Sequence, residues 1–247
     1  MAERRQGCGP VRLRWMVVAW FLVLALPVAA GEDEVPLRVA CVGDSITWGD
    51  RLEDRAAECY PARLAAKLGA AAAVRNFGAS GATMQKRLPP NRTYWRKEKF
   101  GEAIVFAPDV VVLMLGTNDS VRDWFDEEAY GDDALDLIAL FRMLPTRPTV
   151  IVCTIPPLFL PEAKVPETVH PSGSQPTLIA ETIAPAIRRI AEKADAPLVD
   201  AYALFEGRED LLPDKIHPGK EGADMLAEAV AKAIRKALPG RLPAPKR

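Results

Sequence analysis

From Leu37 onward, short wholly apolar runs alternate with longer stretches in which apolar residues recur every three or four positions. Continuous apolar runs of this length fit strands covered on both faces, and the three-to-four spacing fits helices with one buried side. The runs predict strands over 37–42, 72–77, 109–115, 149–155 and 197–200. The spacing predicts helices over 60–68, 97–106, 132–144, 177–194 and 220–238. Gly69, Ala107-Pro108 and Pro145 supply helix stops, and Pro185 implies a kink or a fresh start within 177–194. Residues 50–58 and 206–218 read as loops, 83–95 as a polar, basic loop, and 156–176, which holds six prolines, as irregular chain.

Strands alternating with helices over 37–238, without an internal repeat or a linker, predict one α/β domain with a parallel five-stranded sheet between helical layers. In such sheets ligands bind beyond the carboxyl ends of the strands, where strand order reverses. Ser45 follows the first strand, Gly78 the second and Asn118 the third, and the Asp214–His217 loop follows the fifth. The pattern therefore gathers these residues at one edge of the sheet.

The amino terminus stands apart. Arg12 and Arg14 precede an uncharged apolar run from Trp15 to Val28, and Val28-Ala29-Ala30 offers small residues for cleavage. This is the layout of a secretory signal peptide over 1–30, followed by a short linker at 31–36; a retained signal anchor is the alternative. Residues 239–247 read as a disordered tail. The whole chain of 247 residues has a formal charge of −1, and 1–30 carry four arginines against one glutamate, which leaves the remainder near −4. A mildly acidic chain without basic clusters on the scale of a nucleic-acid site argues against nucleic acid as a partner. Cleavage leaves Cys41, Cys59 and Cys153, of which Cys41 and Cys153 lie in apolar runs as small core residues. No Cys/His spacing suggests zinc, so neither metal nor cofactor is expected.

The candidate chemistry is nucleophilic. Gly43 lets the chain bend as it leaves the first strand, and Ser45 then stands on a tight turn in VGDSITWG. A serine hydroxyl needs a base, and the mature chain offers His170 and His217. His217 follows Asp214 by three residues, within reach of one tight turn, so Asp214 can orient the ring while the far nitrogen serves Ser45. Read alone, DKIHPG is equally a capped helix start. His170, in VHPSG, has no acid at useful spacing and is an exposed loop histidine or a substrate contact. Oxyanion donors are the backbone N–H of Ser45, the N–H of Gly78 and the amide of Asn118; Gly78 and Asn118 are otherwise plain turn residues. Asp44 reads as a brace for its turn and Asp119 as a helix cap. Gly78-Ala79-Ser80-Gly81 lacks the G-x-S-x-G spacing of a nucleophile elbow, and no G-x-G-x-x-G follows the first strand.

VGDSITWG, NFGASGAT, MLGTND and DKIHP, in this order over nearly all of 37–238, resemble the sequence blocks of the SGNH hydrolases, also called GDSL esterases/lipases. The wording around the blocks is most similar to secreted bacterial carbohydrate esterases of the sialate O-acetylesterase-like kind. The resemblance implies a flavodoxin-like three-layer α/β/α sandwich, Ser45 as nucleophile, Asp214 and His217 completing a triad, and oxyanion donors at Ser45, Gly78 and Asn118. Ile46 stands where the GDSL name has leucine, an apolar exchange.

Trp48, Trp95 and Trp124 each fall in a loop at the site edge, where they stack on sugar rings or merely pack their loops. Arg87, Arg92, Arg96 and Lys97 make one basic segment that meets an acidic sugar or a phosphate, or is simply solvated. The site loops show few exposed aliphatics for a long acyl chain. The expectation is a secreted or periplasmic esterase that removes small acyl groups from carbohydrate, without stable membrane association after cleavage. A lysophospholipase or thioesterase on the same scaffold and a non-catalytic carbohydrate-binding module are the alternatives.

Overall fold

A computed structural model describes residues 36–121, 123–160 and 173–242. The expected signal peptide, most of the expected linker, His170 and the last five residues of the expected tail lie outside the described residues.

Five strands form one parallel sheet in the order β2-β1-β3-β4-β5: β1 Leu37–Gly43, β2 Ala72–Gly78, β3 Val110–Met114, β4 Thr149–Cys153 and β5 Leu198–Val199. Every residue of β3 is buried, as its unbroken apolar run requires. The chain steps one way from β1 to β2 and the other way from β2 to β3. Crossovers of one hand then place their helices on opposite faces, and the point of reversal is β1, which carries Ser45 at its end.

The first crossover holds two short helices, α1 (Ser45–Trp48) and α2 (Arg55–Glu58), and then α3 (Tyr60–Leu68). The second holds α4 (Glu98–Val105) and the third α5 (Glu127–Arg142). After β4, α6 (Pro176–Leu178) runs through a wider π-type turn at Ile179–Ile183 into α7 (Ala184–Lys193). The π-type turn ends just before Pro185, and Pro185 falls in the first turn of α7, where its missing N–H costs least. α8 (Ala201–Phe205) and α9 (Lys220–Ala237) close the chain. α3 packs on α9, while α4 meets α5 through an edge-to-face pair of Phe100 and Phe141 at 6.2 Å.

Three departures from the sequence pattern have a local cause. α5 begins at 127 rather than 132 because Asp126 accepts the Ala129 N–H at 3.0 Å and two glutamates occupy the first turn. The expected loop at 50–58 contains α2, and α8 fills 201–205, to which the pattern assigns no element; Asp54 and Asp200 cap them in the same way. The segment 83–95 is not simply solvated: Thr83, Met84, Gln85, Thr93 and Tyr94 are buried, and Tyr94 donates to the Phe77 carbonyl at 2.8 Å. Cys41, Cys59 and Cys153 are free and buried.

The strands end level. Gly43 pairs with Gly78 on one side and with Met114 on the other, so the loops after β1, β2 and β3 start side by side. Gly43 is fixed by space: a β-carbon there would lie 2.1 Å from Thr47 Oγ1 and 2.6 Å from the Met114 carbonyl oxygen. The Met114 oxygen belongs to a buried strand and cannot withdraw. Gly43→Ala is expected to lower stability by about 1–3 kcal/mol, read from the urea midpoint at unchanged m-value.

Candidate active site

Asp44 caps the single turn that presents Ser45. Its Oδ1 accepts the Ile46 N–H at 2.9 Å, its carbonyl accepts the Trp48 N–H at 2.9 Å, and Gly49 ends the turn at φ 95°. Asn76 on β2 locks the same turn from the side, donating to the Thr47 carbonyl at 2.8 Å and the Trp48 carbonyl at 3.2 Å. Nothing in the sequence reading singled out Asn76. Its signal was an uncharged polar side chain, next to Arg75, near the end of an otherwise apolar strand.

The Asp214–His217 loop arrives at that turn. Asp214 Oδ1 accepts the backbone N–H of Ile216 at 3.1 Å and of His217 at 2.7 Å, while Oδ2 lies 2.7 Å from His217 Nδ1. Lys215, between them, sits at φ 71°, the left-handed conformation that closes so tight a turn. His217 Nε2 lies 2.8 Å from Ser45 Oγ. A carboxylate only accepts, so Nδ1 carries the ring proton and Nε2 accepts from the serine hydroxyl. Burial works against the Asp214 charge, but the His217 ring and backbone and the Ile216 N–H outweigh it and hold the carboxyl below its usual range. Arg51, also left-handed at φ 70°, adds a cation 3.7 Å from Asp214 Oδ2. The sequence reading had no means of placing it there.

Residues 41–225 match the sequence model of the GDSL-like Lipase/Acylhydrolase family. The chain belongs to this family of carboxylic ester hydrolases. It is 32% identical over 204 residues to an acetylxylan esterase of Xylanibacter ruminicola, a match covering 75% of this chain and 40% of that protein, so the chain spans well under half the length of its relative. The fold is shared with an aryl esterase of M. smegmatis (TM-score 0.63, 23% identity, 82% of this chain and 100% of that one). It is shared also with a carbohydrate acetylesterase of Sinorhizobium meliloti (TM-score 0.63, 21% identity, 82% and 100%). A histidine variant of an acetylxylan esterase of Geobacillus stearothermophilus has it too (TM-score 0.58, 21% identity, 81% and 96%).

Within this acylhydrolase frame the loops after β2 and β3 are knitted together. Asn118 Nδ2 donates to the Ala82 carbonyl at 3.0 Å. Asp119, expected as a helix cap, is instead wholly buried and accepts from the Met84 N–H at 2.9 Å and from the Gln85 N–H and Nε2, each at 3.2 Å. Gly78 departs from expectation: its N–H is already given to Asn76 Oδ1 at 2.9 Å. A β-carbon on Gly78 would fall 2.2 Å from the Trp48 nitrogen, so glycine there serves the close approach of α1 to β2. Further along the turn Gly81, at φ 74°, has an N–H that pairs with no acceptor among the described residues. Its signal was the second glycine of GASG.

The three tryptophans divide. Trp95 packs its loop, donating Nε1 to the Met84 carbonyl at 2.9 Å and stacking edge-on against Phe100 at 5.5 Å. Trp48 is half-buried with the Arg55 guanidinium 3.8 Å from its ring, and Trp124, also half-buried, has Arg92 5.2 Å away. A groove of about 610 Å³ runs along β5 against the C-terminal half of α9, from Asp195 to Leu204, and touches none of these residues. Beside His217 a cavity lined by Ile46, Leu52 and Tyr60 holds only about 10 Å³.

Asp44 combines capping with an unusual charge. Burial pushes its carboxyl up to about 6, against the Ile46 hydrogen bond. Its Oδ2 is buried without a hydrogen bond, as is Thr117 Oγ1; the threonine hydroxyl lies near enough to favour the charge but outside hydrogen-bond geometry. Because the folded value lies above the ordinary 3.8, the fold binds the proton more tightly than the unfolded chain, and this group costs stability as pH rises from about 4 through about 6. Asp44→Asn keeps the Oδ1 acceptor, removes the charge and offers Thr117 a donor. It is expected to gain about 1–3 kcal/mol at pH 8, shrinking to nearly nothing at pH 4, measured by denaturant unfolding at both values.

Proposed function

We propose that this chain is a secreted serine esterase that removes small acyl groups, acetyl foremost, from carbohydrate. The observation that carries the reading is the continuous line from Asp214 through His217 to Ser45, at 2.7 and 2.8 Å. His217 Nε2 takes the hydroxyl proton as Ser45 Oγ bonds to the ester carbon, and Asp214 steadies the imidazolium that forms. The charge that develops on the carbonyl oxygen falls to preorganised donors. The Ser45 N–H, in the first turn of α1, and the Asn118 amide fill two places. The Gly81 N–H takes the place first assigned to Gly78, since it alone of the two is unspent. His217 then hands its proton to the departing alcohol oxygen as the carbon–oxygen bond breaks. Water, deprotonated by the same nitrogen, cleaves the acyl-serine and restores the hydroxyl.

Acetyl on sugar is favoured by three things. The curated relative is an acetylxylan esterase. The loops after β1, β2 and β3 offer no exposed large aliphatic surface to a long acyl tail among the described residues, since the exposed large hydrophobics Val105, Met143 and Leu198 all lie elsewhere. Trp48 and Trp124 present partly exposed rings at the carboxyl edge of the sheet, flat apolar faces of the kind sugar rings stack on. Secretion rests on the arginine-flanked apolar run and Val28-Ala29-Ala30. Among the described residues no helix is long and apolar enough to cross a membrane.

Hydrolysis of p-nitrophenyl acetate, butyrate and octanoate tests the reading. Activity should fall steeply with chain length and vanish in Ser45→Ala; a preference for octanoate would move the substrate to lipids or thioesters, and equal activity in the variant would refute Ser45 as nucleophile. Asn118→Ala should lower kcat by about 10²–10³ with little change in KM, while exposed Ser80→Ala should retain wild-type kcat.

A further inference from the structure

Arg92, like Lys97 in the same basic segment, is fixed by backbone hydrogen bonds on both sides. Its N–H donates to the Pro89 carbonyl at 2.7 Å and its carbonyl accepts from the Thr83 N–H at 2.9 Å. Thr93 and Tyr94, which follow it, are buried, and the Tyr94 N–H returns to the Thr83 carbonyl at 2.9 Å. The side chain is thus delivered to one place although it is exposed. That place is the turn carrying Gly81: Arg92 Nη1 stands 3.7 Å from where a β-carbon of Gly81 would sit. On its other side lies the Trp124 ring, 5.2 Å from the guanidinium carbon.

Of the other cations of the segment, Arg96 is exposed and lines a surface groove against α4 with Glu98 and Val105, away from Trp124, while Arg87 and Lys97 are engaged. Arg87 donates to Gln85 Oε1 at 3.2 Å and to the Trp124 carbonyl at 2.5 Å, and Lys97 donates to the Asn91 carbonyl at 2.6 Å. Lys86, just ahead of it, pairs with Asp133 and Asp136. Arg92 pairs with no carboxylate and makes no side-chain hydrogen bond among the described residues. Its only described side-chain partner is the flat face of an indole. A guanidinium backed by an aromatic ring and left without an anion has its donors open beside the Gly81 turn.

We propose that Arg92 and Trp124 form a subsite for a sugar carboxylate, so that the preferred ester is borne by an acidic sugar unit or by the neighbour of one. This rests on the esterase reading and deepens it by naming the charge of the substrate. The guanidinium fork matches a carboxylate in two parallel hydrogen bonds, and the indole lies beside it for the apolar face of the pyranose. A single free guanidinium suits the single charge of a carboxylate; a phosphate dianion ordinarily collects more donors than this turn leaves open. Placement beside Gly81 puts the carboxylate near the oxyanion, where it is held by Arg92 rather than left to repel the developing charge.

The test compares an O-acetylated methyl glucuronoside with its carboxyl methyl ester, which has the same shape without the charge. The ratio of their kcat/KM values is the readout, since general damage to the enzyme cancels in it. The wild type should favour the free acid about tenfold or more at low ionic strength, the preference should shrink in 0.5 M salt, Arg92→Gln should bring the ratio close to one, and Arg92→Lys should keep part of it. A wild-type ratio near one, or a ratio unchanged in Arg92→Gln, overturns the proposal. p-Nitrophenyl hemisuccinate favoured over the acetate, without glucuronoside preference, would assign the carboxylate to the acyl side and overturn the sugar assignment. Calorimetric binding of methyl glucuronoside against methyl glucoside to Ser45→Ala separates the two readings. Arg92-dependent binding in a chain whose wild type hydrolyses no ester refutes the esterase reading alone, and hydrolysis without any preference for charge refutes the carboxylate subsite alone.

Discussion

Three parallel strands that stop at the same level are the constraint on which the site depends. Because Gly43 stands between Gly78 and Met114 in the sheet, the loops carrying Ser45, Gly81 and Asn118 begin shoulder to shoulder. Side chains then have little left to do but hold adjacent turns in place. Asn76 ties the β2 loop to the serine turn, Asn118 and Asp119 tie the β3 loop to the β2 loop, and the Asp214 carboxylate folds its own loop while orienting His217. Each tie uses a short polar side chain reaching backbone, which is the geometry least sensitive to rotamer disorder.

The layered architecture was legible because each strand is a continuous apolar run and each long helix keeps its period. The Ser45, Asp214 and His217 positions were legible because the three lie in two short turns whose spacing is local. What escaped was everything decided by contacts across the chain. Asn76 and Arg51 act on turns distant in sequence. Asp119 looks like a cap from its neighbours, yet its partners lie more than thirty residues back, in the loop after β2. A glycine at a strand end, as Gly78 is, invites the role of donor; only the Asn76 hydrogen bond shows that amide to be occupied. The starts of α2, α5 and α8 were missed for a simpler reason, since a single capping aspartate outweighs a weak hydrophobic period.

Charge at the site is distributed against stability. Asp44 and Asp119 are both fully buried, and burial raises each carboxyl to about 6, with Asp44 further raising Asp119. Arg51 and Arg92 stand exposed on left-handed or backbone-locked positions beside the same edge. A sequence selected for stability alone would neutralise the first pair and relax the second. Their retention in one place marks the carboxyl edge of the sheet as the part of the molecule where the fold yields to chemistry.

The three free cysteines carry a consequence for where the chain can fold. Burial pushes the Cys41 thiol far up and the Cys153 thiol to about 12, and Cys59 is enclosed as well. Cys41 and Cys153 offer no ready thiolate and Cys59 is shut off from solvent, so none of the three is placed to exchange with glutathione or with another disulfide. The domain therefore needs no oxidising machinery to reach its native state and gains none of its stability from it. The described fold is equally compatible with reducing and with oxidising surroundings.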